Sequence, residues 1–228
     1  MTWLDTAGNI TASALEAMTP LLLAAAGGLF TELAGMLNIA LEGLMLAGAF
    51  FGFAAAQASG SLSLGILAGA LASSLIAWIY GSATLRLKAN AFITGLAANI
   101  FAPSITAVLS ARWFGTRSVV ALTTPEPARI FQTSLGRVPI LGKIFFSHHS
   151  LVYLSWVLSL GAALIIYRSV LGTRIRATGA RAEAVAAAGF KPDFYKLVAI
   201  ILSGFFCGIA GASLSLPLGA YVPNMSSG

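Results

Sequence analysis

Lys196-Leu-Val-Ala-Ile-Ile-Leu-Ser-Gly-Phe-Phe-Cys-Gly-Ile-Ala-Gly-Ala-Ser-Leu-Ser-Leu-Pro217 carries no charge after its first residue. An α-helix rises about 1.5 Å per residue, so about 20 apolar residues cross the hydrocarbon of a bilayer. This run meets that length, and no water-facing polar stripe interrupts it. Five further apolar stretches precede it, at roughly 12–31, 39–58, 61–80, 92–110 and 150–168. The third, fourth and fifth are equally clean. The first contains Glu16 and Pro20, and the second opens with Asn38 and Glu42. Those two read as broken or centrally buried helices rather than simple lipid-facing ones. The predicted fold is all-α: a polytopic helical membrane protein with about six spans, forming one transmembrane domain over residues 1–228.

Composition agrees. The 228 residues are 58% hydrophobic and only 9% charged, against about 25% charged in a soluble domain. Too little polar surface exists to coat a water-soluble core. Gly, at 24 residues, suits helices whose backbones approach closely in lipid. The net charge of +6 reads as membrane topology and not as a nucleic-acid surface, because the basic residues fall into loops between spans. No basic stretch opens the chain, so no cleavable signal peptide is read.

No Lys or Arg precedes Arg86. Two loops, 81–91 and 168–196, hold eight basic residues; the long loop 111–149 holds five. The excess places the first two in the cytoplasm and 111–149 outside. The external loop contains Pro125, Pro127 and Pro139 and an apolar piece ending in Phe145-Phe146. It reads as an ordered cap with a short interfacial helix, with Trp113, Phe145 and Phe146 at headgroup level.

Catalytic and metal readings find little. His148 and His149 are adjacent and cannot share a helical face; they read as a surface pair at a membrane boundary. No metal-ligand spacing is present. Gly136 to Ile144 has a glycine-lysine pattern one residue too long for a phosphate loop, with Ile144 where a hydroxyl would hold magnesium. The single cysteine, Cys207, reads as a small buried hydrophobe. The chain is therefore expected to be no enzyme and to bind neither metal nor cofactor itself.

Polar residues at membrane depth are more telling. Asn38 and Glu42 are four apart and share a helical face. An acid at a helix centre costs on the order of 2.5–3.5 kcal/mol to insert, so such groups usually face a water-filled path or pair internally. The alternative is that Asn38 caps the second helix and Glu42 sits in its first turn, favoured by the dipole. An internal echo accompanies them: Gly28-Leu-Phe-Thr-Glu-Leu-Ala-Gly35 matches Gly204-Phe-Phe-Cys-Gly-Ile-Ala-Gly211. Five spans separate the copies, which predicts opposite orientations, as in an inverted repeat. If the repeat holds, further C-terminal spans are expected beyond Gly228.

The run Thr19–Phe51 resembles the permease subunits of bacterial ABC importers of the branched-chain amino acid, ribose and nucleoside group, with nucleoside members nearest. It matches their pattern at Gly27, Gly28, Leu29, Phe30, Glu32, Gly35, Asn38, Ile39, Glu42 and Gly43. It departs at Leu33, where relatives carry a basic residue. Gly95-Leu-Ala-Ala-Asn99 resembles the family's pore-lining G-L-x-x-N. Gly172-Thr-Arg-Ile-Arg-Ala-Thr-Gly179, with Glu183-Ala184 and Gly189 after it, resembles the family's coupling segment.

The resemblance implies a permease subunit of an ATP-driven importer for nucleosides or simple sugars, in the bacterial inner membrane. Asn38, Glu42 and Asn99 would line the substrate path. Within a cytoplasmic coupling loop at 169–195, Gly179, Arg181, Glu183, Ala184 and Gly189 would engage the ATPase through a short helix near 180–188. Arg174, Arg176 and Arg181 would hold that segment at the anionic membrane surface or the acidic rim of its partner. The implied partners are cytoplasmic ATPase subunits that carry the ATP, a second permease subunit, an external solute-binding protein and membrane lipids. A secondary transporter driven by an ion gradient is the alternative, since Glu32, Glu42 and an inverted repeat would suit it.

Overall fold

A computed structural model describes residues 3–116, 119–121, 148–223 and 225–226, with side chains from Gly8 onward. Among these residues eight helices follow in order: α1 (Trp3–Leu33), α2 (Leu41–Ser59), α3 (Leu62–Leu85), α4 (Ala91–Phe114), α5 (Ser150–Arg168), α6 (Val170–Ala180), α7 (Ala182–Ala187) and α8 (Pro192–Ser215). Two short strands, β1 (Val120–Ala121) and β2 (Ala220–Tyr221), pair antiparallel. Among the described residues six helices are long and apolar enough to span a membrane: α1 to α5 and α8. This is the all-α polytopic architecture the apolar stretches predict.

Of the two readings of the first span, broken or centrally buried, the break at Pro20 is not found. α1 is not broken at Pro20 but runs as one 31-residue helix through it. Proline removes one backbone donor in the helix interior. The carbonyl that loses its donor is that of Glu16, four residues back; the Thr19 hydroxyl donates to the neighbouring Leu15 carbonyl at 3.1 Å. The break falls instead after Leu33, where Gly35 takes a left-handed φ of 74°.

α8 is the central post, packed against α1, α2 and α3. Glycine makes this possible. A Cβ on Gly48 of α2 would lie 2.5 Å from the Gly208 Cα of α8, and one on Gly208 would lie 2.5 Å from the Gly69 carbonyl of α3. Three backbones thus touch where any larger residue would hold them apart. Hydroxyls join the same helices: Ser73 of α3 donates to the Leu44 carbonyl of α2, and Ser215 of α8 to the Ala49 carbonyl of α2, both at 3.0 Å. Such bonds add about 0.6 kcal/mol each on average in a membrane, so close packing is the larger contribution.

The helix directions divide the connections between two faces. The end of α1 at 33–35, the turn at 86–90 and the helices α6 and α7 lie at one end. The 60–61 turn, the β1–β2 pair and His148 lie at the other. Phe145, Phe146 and most of the 111–149 loop fall outside the described residues. Trp113 stacks on Phe50 with ring centroids 5.5 Å apart. α1 and α8, which carry the two glycine-rich echoes, run antiparallel and in contact, the opposed orientation expected of them.

Candidate transport and coupling site

α2 does not begin at the membrane surface. Its first turn lies level with the middles of its neighbours. Leu44 bonds to Ser73, halfway along α3, and Asn38 donates its amide to Ser203, halfway along α8, at 3.0 Å. The chain leaves α1 at Leu33, turns back through residues 34–40, and starts α2 at mid-depth. A helix start leaves backbone N–H groups without intrahelical partners, and in this place water is not assured.

Two asparagines supply the missing partners. The Asn38 Oδ1 accepts from the Ala40 N–H at 3.1 Å. The Asn99 Oδ1, reaching from α4, accepts from the Gly43 N–H at 2.8 Å, while its Nδ2 donates to the Ile39 carbonyl at 2.7 Å. Asn99 is thus a cap delivered from another helix. Gly95, one turn earlier on the same face of α4, lets the backbone approach: a Cβ there would lie 3.0 Å from the Ile39 Cβ. The G-L-x-x-N pattern gains a physical meaning, clearance at the glycine and a bond at the asparagine.

The three polar residues therefore gather at one place but do different things. Asn38 is buried, and both carboxamides bond to the protein itself. Glu42, in the first turn of α2, is exposed, and the positive end of the helix dipole favours its charge. Ser226 reaches the Glu42 carbonyl at 3.3 Å, so the segment after β2 folds back to this same level. A cavity of about 290 Å³ beside the turn is lined by Glu32, Asn38 and Leu41 among others.

At the end of the bundle where α1 stops, α6 and α7 form an angled pair. The expected short helix at 180–188 is found as α7, Ala182–Ala187. Gly189, with φ 85°, closes it, as a glycine in the left-handed conformation commonly does. Gly179 does not mark the start of α7. It lies inside α6, and the break comes at Arg181, with φ −153° and ψ 91°. The glycine has another use: a Cβ at Gly179 would collide with the Leu33 carbonyl and lie 2.8 Å from the Gly35 N. α6 thus sits backbone to backbone on the turn that leads into α2. Arg181, Glu183 and Ala184 are exposed, whereas Val185 is buried.

The three arginines expected to share one task are split. Arg174 turns inward, donating to the Tyr195 hydroxyl at 2.9 Å and lying 4.2 Å from the centre of the Phe190 ring. Arg176 lies over Tyr167. Arg181 alone points outward beside α7. Between α6 and α7 opens a cavity of about 510 Å³, walled by Ala177, Ala184, Val185 and Phe190 with Arg174 and Arg181 at its edge.

The model of the family described as "Branched-chain amino acid transport system / permease component" matches residues 10–228. The chain belongs to this permease family. It is 31% identical over 225 residues to the TsgC13 permease protein of Haloferax volcanii, whose name proposes glucose as cargo; that match covers 97% of the chain and 67% of the relative. It is 32% identical over 207 residues to the guanosine ABC transporter permease protein NupQ of Bacillus subtilis, covering 84% and 62%. The nucleoside ABC transporter permease protein NupC of Lactococcus lactis subsp. cremoris is 30% identical over 220 residues, covering 93% and 68%. The chain thus spans about two thirds of the length of these relatives. No solved structure matches it. As a permease-family chain with six apolar helices it is a multi-pass membrane protein.

The sequence reading missed the Ser203 partner of Asn38 and the contact of Gly179 with Gly35. It also misjudged His148. That residue is fully buried, with Nδ1 3.5 Å from Glu16 Oε1, and is no surface group. Helical spacing says which residues share a face but not which distant residue meets them.

Proposed function

We propose that this chain is a permease subunit of an ATP-driven importer, and that its α6–α7 pair relays the movement of cytoplasmic ATPase subunits to the start of α2. The observation that carries this is the backbone contact of Gly179 with the Leu33–Gly35 turn. A glycine at that point removes any compressible side chain, so displacement of α6 is passed on to the turn. Beyond the turn stand Asn38 and Asn99, which fix the α2 N-terminus. Glu42, exposed there, is the residue we assign to the substrate path. The end bearing α6 and α7 is the cytoplasmic one, in keeping with its basic residues.

Nucleosides or simple sugars are the cargo in this reading, supported by the cargo named for the relatives. Both are neutral polyols, which suits a path offering an acid and backbone carbonyls as hydrogen-bond partners. A second permease subunit and an external solute-binding protein complete the assembly. ATP is bound on the partner subunit, and the chain itself performs no chemistry. The test is uptake of labelled guanosine or glucose into proteoliposomes holding the assembled transporter. Uptake that requires ATP and magnesium on the ATPase side, with no ion gradient, is the expected result. Uptake driven by a proton or sodium gradient without ATP would favour the secondary-transporter alternative.

A further inference from the structure

We infer that the corner between α5 and α6 is a binding site for the phosphate of an anionic phospholipid headgroup. The corner is a built feature. The Ser169 side chain accepts from the Gly172 N–H at 3.0 Å and donates to the Ile165 carbonyl. Gly172 lies so close to the Ile165 and Ile166 carbonyls that a Cβ would collide with both. The fold-back this permits brings Arg176 of α6 over the ring of Tyr167 of α5, with the guanidinium carbon 5.4 Å from the ring centre.

The arginine there is incompletely used. Its Nε is buried and has no hydrogen-bond partner among the described residues. No carboxylate among the described residues pairs with it. The buried Nε is shielded from outside, so it is the two terminal nitrogens, which make no hydrogen bond among the described residues, that are left to donate to a phosphate. Arg168 is exposed one residue after Tyr167. Leu164, Tyr167 and Val170 are between 54% and 68% exposed, which makes this outer surface apolar, as a side facing acyl chains must be. Two arginines at the boundary of such a surface meet lipid phosphates at their own depth.

This assignment separates Arg176 from Arg181, which stays with the proposed ATPase surface, and it does not depend on the identity of the cargo. It predicts that α6 is tethered to the leaflet through Arg176, one turn before Gly179 bears on the α1–α2 turn. The test uses the purified full-length permease in detergent micelles, titrated with phosphatidylglycerol or with phosphatidylcholine, with bound lipid counted by native mass spectrometry. Wild-type protein should retain phosphatidylglycerol in preference. Arg176→Gln should weaken that retention about tenfold, as loss of a charge-assisted contact does, and Arg168→Gln should weaken it less. Arg112→Gln, at the other end of the bundle, should leave it unchanged and controls for general loss of charge. Tyr167→Leu provides a second variant that keeps both charges and should also weaken binding. Equal retention of both lipids, or retention of phosphatidylglycerol by the Arg176→Gln and Tyr167→Leu variants at the wild-type level, would overturn the inference. Displacement of the lipid by inorganic phosphate at equal concentration would overturn the lipid as its source.

Discussion

Asn99 uses both ends of its carboxamide to hold the approach to α2, and Glu42 beside it makes a contrasting case. Asn99→Leu keeps the branching of the side chain and removes both bonds, leaving the Gly43 N–H and the Ile39 carbonyl without that partner. A buried polar group left unsatisfied costs about 1–3 kcal/mol, so a clear fall in thermal stability is expected together with loss of uptake. Glu42→Gln removes only a charge from an exposed side chain; melting should change little while uptake falls. A melting scan beside an uptake assay separates the two. If Asn99→Leu melts like wild type, the capping role is wrong. Asn38, Glu42 and Asn99 were visible in the sequence because polar groups at membrane depth are costly. Their division of labour was not, since it depends on where the carboxamides of Asn38 and Asn99 point after a turn that no periodicity describes.

Among elements, the contact of α2, α3 and α8 sets the tightest demand. Gly48, Gly69 and Gly208 meet backbone to backbone, and each side of that contact is helical and rigid. Gly208→Val must push α8 away from both partners. Overpacking a closed contact usually costs about 1–3 kcal/mol, and in this place it would also loosen the Ser73 and Ser215 bonds. The expected outcome is a protein that inserts but melts earlier in detergent. Gly161→Val on α5 is the control, since a Cβ there meets nothing within 4 Å. Equal melting of the two variants would contradict the packing account. The spans themselves were legible almost to their ends, because length and apolarity decide them. The continuity of α1 through Pro20 was not, since it depends on how the surrounding chain tolerates a missing donor. Nor was the burial of His148, which rests on a partner 132 residues away.

For the whole molecule, the account rests on one mechanical link. α6 and α7 stand at one end, the polar start of α2 stands at mid-depth, and Gly179 against Gly35 joins them. The small-residue patterns announced that these places matter but gave no hint that Gly179 and Gly35 touch, because contact between distant segments is a property of the folded chain. The direct measurement is uptake per ATP hydrolysed by the assembled transporter carrying Gly179→Val, reconstituted in proteoliposomes. The account predicts that the subunits still assemble and hydrolyse ATP, while uptake per ATP falls about tenfold, the loss that a coupling weakened by about 1.4 kcal/mol produces. Hydrolysis and uptake that both remain at wild-type values, with their ratio unchanged, would contradict it.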